Sequence, residues 1–351
     1  MTPIDDLKDV LGRSPELFPH GLDAGKDSIS FVRLTRSDYA AASFLDARVL
    51  TPQSAGRTIP WPQVAAAIEA AQLAEHCAFI FHIGHVGSTL LSRLIGAHPG
   101  ALALREPLLL RTFTELHSTP AAQPRTWRPE EFEARLSGCL KLLSRTFDGG
   151  QIAVLKATSF VSEFAAALLS RSSRPRAVMM YVSAESHMAT ILGGPNSRQE
   201  AKLLAPDRWQ RLYRRMGRES HQLAPRGEGE MLALGWACET SALARAAAAN
   251  AARVLKIDFE RFLAEPEPVL AAAFRHLGIE AAASAVASIL AGPDMRRYSK
   301  APEYAYDAAL RHAVLNEARA AHGAEIQRGL AWLDRAAEQF AVVREALVFA
   351  A

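Results

Sequence analysis

The residues best suited to bind an anion are in segment 83–94, which joins an apolar run to a helical pattern. Its two glycines, Gly84 and Gly87, let backbone N–H groups approach an oxyanion without an intervening Cβ. Ser88 and Thr89 add hydroxyl donors at the start of the predicted helix, where unpaired N–H groups and a partial positive charge also lie. The segment therefore predicts an anion-binding loop.

Two interpretations of this loop stay open from its residue types. Gly84 and Gly87 could form only a tight turn, with Ser88 capping the helix that follows. The loop is not a Walker A motif, because that motif has a lysine directly after its second glycine and Ser88 follows Gly87 here. Ordinary ATP or GTP hydrolysis is therefore disfavoured.

Two charged residues each follow a predicted strand, so we expect them at the same edge of a parallel sheet as the loop. Glu106 is the candidate general base, and its alternative is a carboxylate paired with Arg105 or Arg111. Lys156 would suit an anionic ligand, and its alternative is an exposed lysine at a strand end. His85 is the alternative base.

Several segments together resemble the sulfotransferase family, in a divergent bacterial-type form. Residues 87–91 (GSTLL) resemble the end of its 5′-phosphosulfate loop, and the likeness continues in 98–99 (HP), 105–107 (REP) and 254–266 (VLKIDFERFLAEP). The resemblance covers about residues 79–300. It implies transfer of a sulfuryl group from 3′-phosphoadenylyl sulfate to an acceptor hydroxyl or amine, with no metal.

The resemblance also implies which residues bind the donor. It assigns the 5′-phosphosulfate to Gly84, His85, Val86, Gly87, Ser88, Thr89 and Leu90. His85 stands where the family has a lysine or arginine, and a histidine supplies charge only when protonated, although a neutral ring still donates one hydrogen bond. With Lys156, His85 is expected to give cationic assistance, while Glu106 acts as the base.

The family's 3′-phosphate contact is the second point of departure. Ser183 stands where the family has an arginine after a strand, and Thr190 follows it in the next helical segment. Compensation is expected from Arg198, or from a late basic loop that comprises Arg296, Arg297, Ser299 and Lys300. For the late loop, the alternative is a solvated basic turn between helices.

Two rival functions follow from the same residues. One is a P-loop phosphotransferase or nucleotide hydrolase without the Walker lysine, which would need Mg²⁺ and has Asp258 as its one obvious carboxylate. The other is a non-catalytic nucleotide-binding relative that kept the fold. Magnesium dependence separates the first rival from a sulfotransferase.

The elements that must position these residues alternate between apolar strands and helices after residue 76. The predicted strands are 78–83, 101–104, 152–155, 177–182 and 253–257. This alternation predicts an α/β fold with a parallel sheet of about four or five strands and helices on both faces. The resemblance makes it a P-loop NTPase-like three-layer sandwich with a helical C-terminal part.

The expected organisation has three parts. Residues 1–75 form an N-terminal extension or lid, in which 29–34 is a predicted strand and 52–62 a loop. Residues 76–300 form the sulfotransferase-like domain, and 301–351 form C-terminal helices, for which 307–321 and 325–349 are predicted.

Composition limits the class of protein. The chain has 351 residues, of which 49% are hydrophobic and 22% charged, and this balance is typical of a globular protein. With 40 basic and 37 acidic residues, the net charge of +3 disfavours nucleic acid as a partner. Three widely spaced cysteines, the acidic start and the lack of a long apolar run favour a cytoplasmic protein without a membrane span. The expected partner is a small-molecule, glycan or peptide acceptor.

Overall fold

A computed structural model describes residues 3–51, 56–118, 127–217, 223–301 and 303–351. Part of the predicted loop 52–62, namely residues 52–55, lies outside the described residues. The eight strands are β1 (Leu17–Asp23), β2 (Ser28–Arg33), β3 (Gly56–Pro60), β4 (Cys77–His82), β5 (Ala101–Arg105), β6 (Ile152–Lys156), β7 (Ala177–Tyr181) and β8 (Val254–Asp258).

Helices follow most strands. In chain order they are α1 (Pro3–Arg13), α2 (Arg36–Ala41), α3 (Trp61–Ala70), α4 (Ser88–Gly96), α5 (Leu108–Ser118), α6 (Pro129–Leu143), α7 (Ala165–Leu169), α8 (Ala184–Leu192), α9 (Pro195–Met216), α10 (Glu228–Ala249), α11 (Phe259–Ala264), α12 (Pro266–Leu277), α13 (Ala283–Ala291), α14 (Ala308–Gln339) and α15 (Ala341–Phe349). Short 3-10 helices lie at Ala47–Val49, Ser159–Phe164, Ala251–Arg253 and Pro293–Arg296.

The central sheet contains the five strands predicted from the apolar runs. Its order is β5-β6-β4-β7-β8 and every pairing is parallel. Strands β4, β5 and β7 are buried along their whole length, as expected for a sheet covered on both faces. The predicted fold class, an α/β fold with a parallel sheet of about four or five strands and a helical C-terminal part, is confirmed. The carboxyl end of the central strand β4 carries the predicted anion-binding loop.

Helices bury the sheet in two groups. Helices α4 and α12 contact each other, α4 packs on β4, β5 and β6, and α12 packs on β7 and β8. Helix α10 is buried over most of its length and contacts β4 together with α7, α8, α9, α14 and α15. Within the described ranges, every helix is too short or too polar to cross a bilayer.

The first 75 residues contain a second, antiparallel sheet in the order β1-β2-β3. The predicted strand at 29–34 is confirmed as β2, but the loop predicted over 52–62 is wrong from residue 56, where β3 begins. Strand β3 is an edge strand in which only Ile59 is buried, so it lacks an apolar run. Strand β1 was not predicted, because Pro19 and Gly21 interrupt it and flank a bulge.

Two buried arginines fasten this N-terminal region to the rest of the chain. Arg105, at the end of β5, donates to three backbone carbonyls of segment 39–42. Arg145 donates to the carbonyls of Ser14 and Leu17 at 3.1 and 2.6 Å. Burial lowers the pKa of each guanidinium to about 10. Residues of both sheets also belong to one buried apolar cluster. The boundaries of the three predicted parts stay a prediction.

The C-terminal helices differ from the prediction in where they break. The predicted gap between residues 321 and 325 coincides with His322, whose backbone is not helical although α14 continues past it. A further break at Phe340, which separates α14 from α15, was not predicted. Phe340 is itself apolar, so the hydrophobic pattern runs through the break without interruption.

Candidate functional site

The loop after β4 has a backbone that few residues adopt. Gly84, His85 and Gly87 have φ angles of 85°, 56° and 66°, and helix α4 begins directly afterwards at Ser88. Left-handed φ angles are unstrained only for glycine, which explains why glycine stands at two of these three positions, 84 and 87. The loop turns the chain from the sheet into α4 within five residues.

His82, the last residue of β4, fixes the start of this loop. Its Nδ1 accepts a hydrogen bond from the Gly84 N–H at 2.9 Å, and its Nε2 is 2.8 Å from the backbone carbonyl oxygen of Ala157. These contacts assign the proton to Nε2. Burial holds the pKa of His82 well below its ordinary value, so the ring stays neutral. His82 thus shapes the loop from within the protein.

The loop and the first turn of α4 present unpaired donors. The first helical hydrogen bond is donated by the Leu91 N–H to the Gly87 carbonyl at 3.0 Å. Among the described residues, the N–H groups of Ser88, Thr89 and Leu90 have no acceptor. Three free amides at a helix N-terminus form the anion-binding arrangement expected from the sequence.

Orphaned hydroxyl groups lie in the same region. The Oγ1 atoms of Thr89 and Thr158 are buried, and neither has a hydrogen-bond partner within the described chain. Thr158 follows β6, the strand beside β4, and was not predicted as a site residue. Buried hydroxyl groups without partners are uncommon in proteins. These two fit a polar ligand that completes their hydrogen bonds.

Close packing makes Gly87 irreplaceable in this loop. A Cβ on Gly87 would lie 2.0 Å from Cε2 of Phe259, the first residue of α11. A Cβ on Gly84 would meet nothing closer than Ser159, at 3.8 Å. The side chain of Val86 is fully buried, so Val86 offers a ligand only its backbone.

Lys156 and Glu106 form an ion pair beside the loop. Lys156 is fully buried at the end of β6, and its Nζ contacts Oε1 of Glu106. The Glu106 side chain is 12% exposed, and its backbone φ of 57° places a non-glycine residue in the left-handed region. Backbone strain of this kind is concentrated at functional sites. Burial lowers the pKa of Lys156 to about 8, although the Glu106 carboxylate opposes the shift.

The contacts of Glu106 and Lys156 differ from those of the alternatives, although the roles of the two residues stay predictions. Glu106 does not pair with Arg105, which bonds backbone carbonyls, or with Arg111, which pairs with Glu115. Lys156 is not an exposed lysine at a strand end. A second cation, Arg48, lies 3.9 Å from Oε2 of Glu106. The carboxylate is therefore held by one buried cation, Lys156, and lies near an exposed one, Arg48.

A segment of the N-terminal region covers this ion pair. The ring of Phe44 lies between two cations, with the Arg48 guanidinium carbon 3.4 Å and the Lys156 Nζ 5.8 Å from its centroid. Asp46 binds Arg48 through Nε at 2.8 Å. These contacts could not be predicted, because residues 44–48 match no chemical motif and reach the site only through the fold.

His85 is neutral at the site. Its Nε2 is 3.7 Å from Oε2 of Glu200 on α9, and its ring centroid is 6.4 Å from that of His187. Burial, with positive charge from Lys300, Arg208 and Arg311, lowers the pKa of His85 to about 3. With this lowered pKa the ring carries no charge near neutral pH and offers a single hydrogen bond, so the cationic role of His85 stays a prediction that the lowered pKa does not support.

The late basic loop reaches the same edge of the sheet. Arg93 on α4 donates from Nε to the carbonyl of Ser299 at 2.7 Å, and from Nη2 to Oγ of Ser43 at 2.8 Å. The positive charge of Lys300 contributes to the lowered pKa of both Lys156 and His85. Arg93, which the sequence did not single out, thus holds the late loop and the N-terminal segment over α4.

Two other predicted residues of the late loop project outward. Arg296 and Arg297 are exposed, next to a short turn in which the Tyr298 N–H donates to the carbonyl of Tyr304 at 2.8 Å. Their exposed side chains are compatible both with phosphate binding and with the solvated turn that was the alternative.

The remaining predicted donor residues already have partners. Ser183 caps α8 by accepting from the Ser186 N–H at 3.2 Å, and Thr190 Oγ1 donates to the carbonyl of Ser186 at 2.7 Å. Arg198 binds both carboxylate oxygens of Glu228, at 3.2 and 2.5 Å. None of these three side chains needs a ligand to complete its hydrogen bonds.

Asp258, the carboxylate of the rival magnesium-dependent function, is also occupied. It caps α11 by accepting from the Arg261 N–H at 2.9 Å. It ends β8, which is separated from β4 by β7. The position two strands away from the anion-binding loop gives this rival no support.

Known structures that resemble the chain are sulfotransferases. Sulfotransferase STF9 from Mycobacterium avium is 12% identical, and the match covers 92% of this chain and 97% of that one with a TM-score of 0.41. STF1 from Mycobacterium tuberculosis H37Rv is 14% identical over 83% of this chain and 93% of its own, with a TM-score of 0.39. The sulfotransferase domain from the curacin biosynthetic pathway is 15% identical over 66% and 83%, with a TM-score of 0.40.

No family model matches the chain, and no curated protein matches it either. At the identities and TM-scores of the structures above, we take no donor, acceptor or catalytic residue from them. The function is argued below from the residues of the site.

Proposed function

We propose that the protein is a sulfotransferase, which moves a sulfuryl group from 3′-phosphoadenylyl sulfate to a hydroxyl or amine of a small-molecule, glycan or peptide acceptor. The observation that carries this proposal is one juxtaposition. The unpaired amides of Ser88, Thr89 and Leu90 share a sheet edge with a fully buried lysine, Lys156, paired to a strained carboxylate, Glu106. These groups suit an anionic donor and an acceptor that must lose a proton.

The proposed reaction is a direct displacement at sulfur. The acceptor oxygen or nitrogen forms a bond to sulfur while the bond between sulfur and the donor's phosphate oxygen breaks. The proton of the acceptor passes to Glu106, and the electron pair of the broken bond stays on the phosphate oxygen. Loop amides and Lys156 stabilise the negative charge there, in the way that preorganised donors stabilise other transferring groups.

The ion pair gives this proton transfer a second effect. When Glu106 accepts the proton, Lys156 loses the charge that it was paired with, and its ammonium group becomes fully available to the sulfuryl and phosphate oxygens. Neutral His85 contributes a hydrogen bond from the loop. We assign the 3′-phosphate to the late loop, where Arg297 and Lys300 have exposed cationic side chains.

A cytoplasmic location belongs to the same proposal. Cys77, Cys139 and Cys238 are all buried free thiols, as suits a reducing compartment.

Calorimetric titration with adenosine 3′,5′-bisphosphate, AMP and Mg-ATP tests the donor site. We expect the bisphosphate to bind without magnesium, with a dissociation constant on the order of micromolar, and AMP to bind at least about tenfold more weakly. The variant Arg297→Ala/Lys300→Ala should bind both nucleotides equally, whereas the exposed control Lys202→Ala should behave as wild type. Binding of Mg-ATP alone, or of no nucleotide, would overturn the proposal.

Turnover is tested with donor that carries radioactive sulfur. The enzyme is incubated with panels of phenols, aliphatic alcohols, amino sugars and tyrosine-containing peptides, and label transfer is followed by chromatography. We expect transfer to at least one class, and transfer about 10²-fold slower in Glu106→Gln. Tight bisphosphate binding without transfer to any class would support the non-catalytic nucleotide-binding relative instead.

A further inference from the structure

Arg208 on α9 is a buried cation that keeps most of its donors free. It is 7% exposed, and its Nε donates to Oε1 of Glu239 at 3.1 Å. Arginine carries five N–H donors, and no acceptor for those on the two terminal nitrogens of Arg208 lies within the described chain. The two terminal nitrogens are not fully buried, so a ligand can reach them and complete their hydrogen bonds.

The neighbouring buried arginines of α9 bind the protein through their terminal nitrogens. Arg211 binds three carboxylates through its three nitrogens, at distances of 2.7 to 3.0 Å. Arg215 binds Glu163 at 3.1 Å and the Cys238 carbonyl at 2.9 Å. Arg211 and Arg215 thus join the buried ion-pair network through their terminal nitrogens, with Arg215 Nε left without a partner among the described residues, whereas Arg208 joins it through Nε alone.

Helix α9 brings Arg208 towards the loop. Glu200, two turns earlier on the same helix, lies 3.7 Å from His85 Nε2, so α9 passes beside the loop. The charge of Arg208 lowers the pKa of His85 and also that of the buried His187. Both effects place the charge of Arg208 near these two rings. The neutral rings bring hydrogen-bonding nitrogens but no charge.

We propose that Arg208 binds a tetrahedral oxyanion between α9 and loop 84–89, and that this oxyanion is the sulfuryl group of the donor. The assignment rests on the proposed function. A guanidinium presents planar pairs of donors that match two oxygens of one anion. Arg208 then supplies from another helix the fixed positive charge that neutral His85 does not supply from the loop.

Inorganic sulfate tests the anion site without any nucleotide. Sodium sulfate is titrated into the full chain at constant ionic strength, and the imidazole NMR signals of His85 and His187 are followed, assigned with single His→Gln variants. We expect saturable shifts of both rings in wild type. Arg208→Gln should weaken the sulfate affinity about tenfold or more, and Arg208→Lys should weaken it less. Equal affinity in wild type and Arg208→Gln would overturn the proposal.

Two control variants separate anion binding from folding. Arg214→Gln removes an exposed arginine of the same helix and should leave the sulfate affinity unchanged. Glu239→Gln disrupts the same buried network but keeps the Arg208 cation, so it should lower the melting temperature as Arg208→Gln does while sulfate still shifts both rings. Loss of the sulfate response in both Glu239→Gln and Arg208→Gln would assign the effect to the fold and overturn the proposal.

Nucleotide titrations separate this inference from the proposed function. Arg208→Gln should leave adenosine 3′,5′-bisphosphate affinity unchanged but weaken 3′-phosphoadenylyl sulfate, because only the latter has the sulfuryl group. Bisphosphate binding with no loss of donor affinity in Arg208→Gln refutes the inference alone. A sulfate response that depends on Arg208, in a protein that binds no bisphosphate, refutes the proposed function and leaves the anion site in place.

Discussion

Two regions at the carboxyl edge of the sheet offer a ligand different kinds of positive charge. Loop 84–90 presents backbone amides, whose positions depend on left-handed φ angles and on contact with Phe259. The ion pair of Lys156 and Glu106 presents side-chain charge, and burial sets how strongly Lys156 holds its proton. Substitutions in the loop should therefore act through backbone strain and packing, whereas those in the pair should act through charge and pH.

The largest effect is expected from removing the positive charge of the ion pair while loop 84–90 stays unchanged. Lys156→Met deletes the ammonium group but keeps a long apolar stem in the buried site. We expect kcat/KM for sulfuryl transfer to fall about 10³-fold, because one preorganised cation is lost, with unchanged affinity for adenosine 3′,5′-bisphosphate. Lys202→Met, in the exposed part of α9, is the control for rates and calorimetry. A parallel loss of bisphosphate affinity would place Lys156 in nucleotide binding instead.

Gly87→Ala disturbs only loop 84–90, which presents the backbone amides. The added Cβ clashes with Phe259 and the φ of 66° strains an alanine, so the free energy of unfolding should fall by about 3 kcal/mol. Urea denaturation measures it. Gly84→Ala is the matched control, since its φ is 85° but its Cβ would make only ordinary contact with Ser159, at 3.8 Å; there we expect about 1 kcal/mol. Equal losses for the two variants would contradict the packing argument.

Glu106→Gln tests the ion pair of Lys156 and Glu106 through the pH dependence of the rate. As the general base is lost, kcat/KM should fall about 10²-fold. The carboxylate raises the pKa of Lys156 against burial, so its removal should lower that pKa below the value of about 8. The alkaline fall in the residual rate should then begin at lower pH than in wild type. If the alkaline limb of the pH–rate profile stayed at the wild-type pH, the group that titrates there would not be Lys156.

The smallest effect concerns acid stability. The pKa values of His82, His85 and His187 are all lowered by burial, so the folded protein binds fewer protons than the unfolded chain below about pH 6.5. Stability should fall as the pH decreases from that point. His85→Gln should flatten the dependence of the free energy of unfolding on pH between 6 and 4, by up to about 1.4 kcal/mol per pH unit. Urea denaturation at each pH measures this slope. A slope identical to that of wild type would show His85 to be protonated in the fold.

Much of the parallel sheet was predictable because each buried strand is a continuous apolar run between polar turns. Strands β1 and β3 were not, since β1 contains Pro19 and Gly21 and β3 buries only Ile59. In an edge strand, pairing with a neighbour decides the structure, and the sequence pattern records little of it. The break at Phe340 was not predicted for a similar reason, because Phe340 is apolar and the hydrophobic pattern continues through the bend.

The candidate site divides in the same way. Gly84, Gly87 and Ser88 were found because loop, strand and helix are contiguous in the chain. The burial of Lys156 was not predictable, because it depends on Phe44, more than a hundred residues earlier. Arg208 gave no signal either, since α9 is rich in arginine and only the partners of each guanidinium distinguish them.

The anchoring of the N-terminal region by Arg105 and Arg145 limits how the chain can be dissected. Both guanidiniums bond backbone carbonyls of the first 42 residues. In a fragment that starts at residue 76, Arg105 and Arg145 would lose these carbonyl acceptors, and the apolar surface that the N-terminal region covers would be exposed to solvent. It should collect in inclusion bodies, and supplying residues 1–75 as a separate polypeptide should restore its solubility.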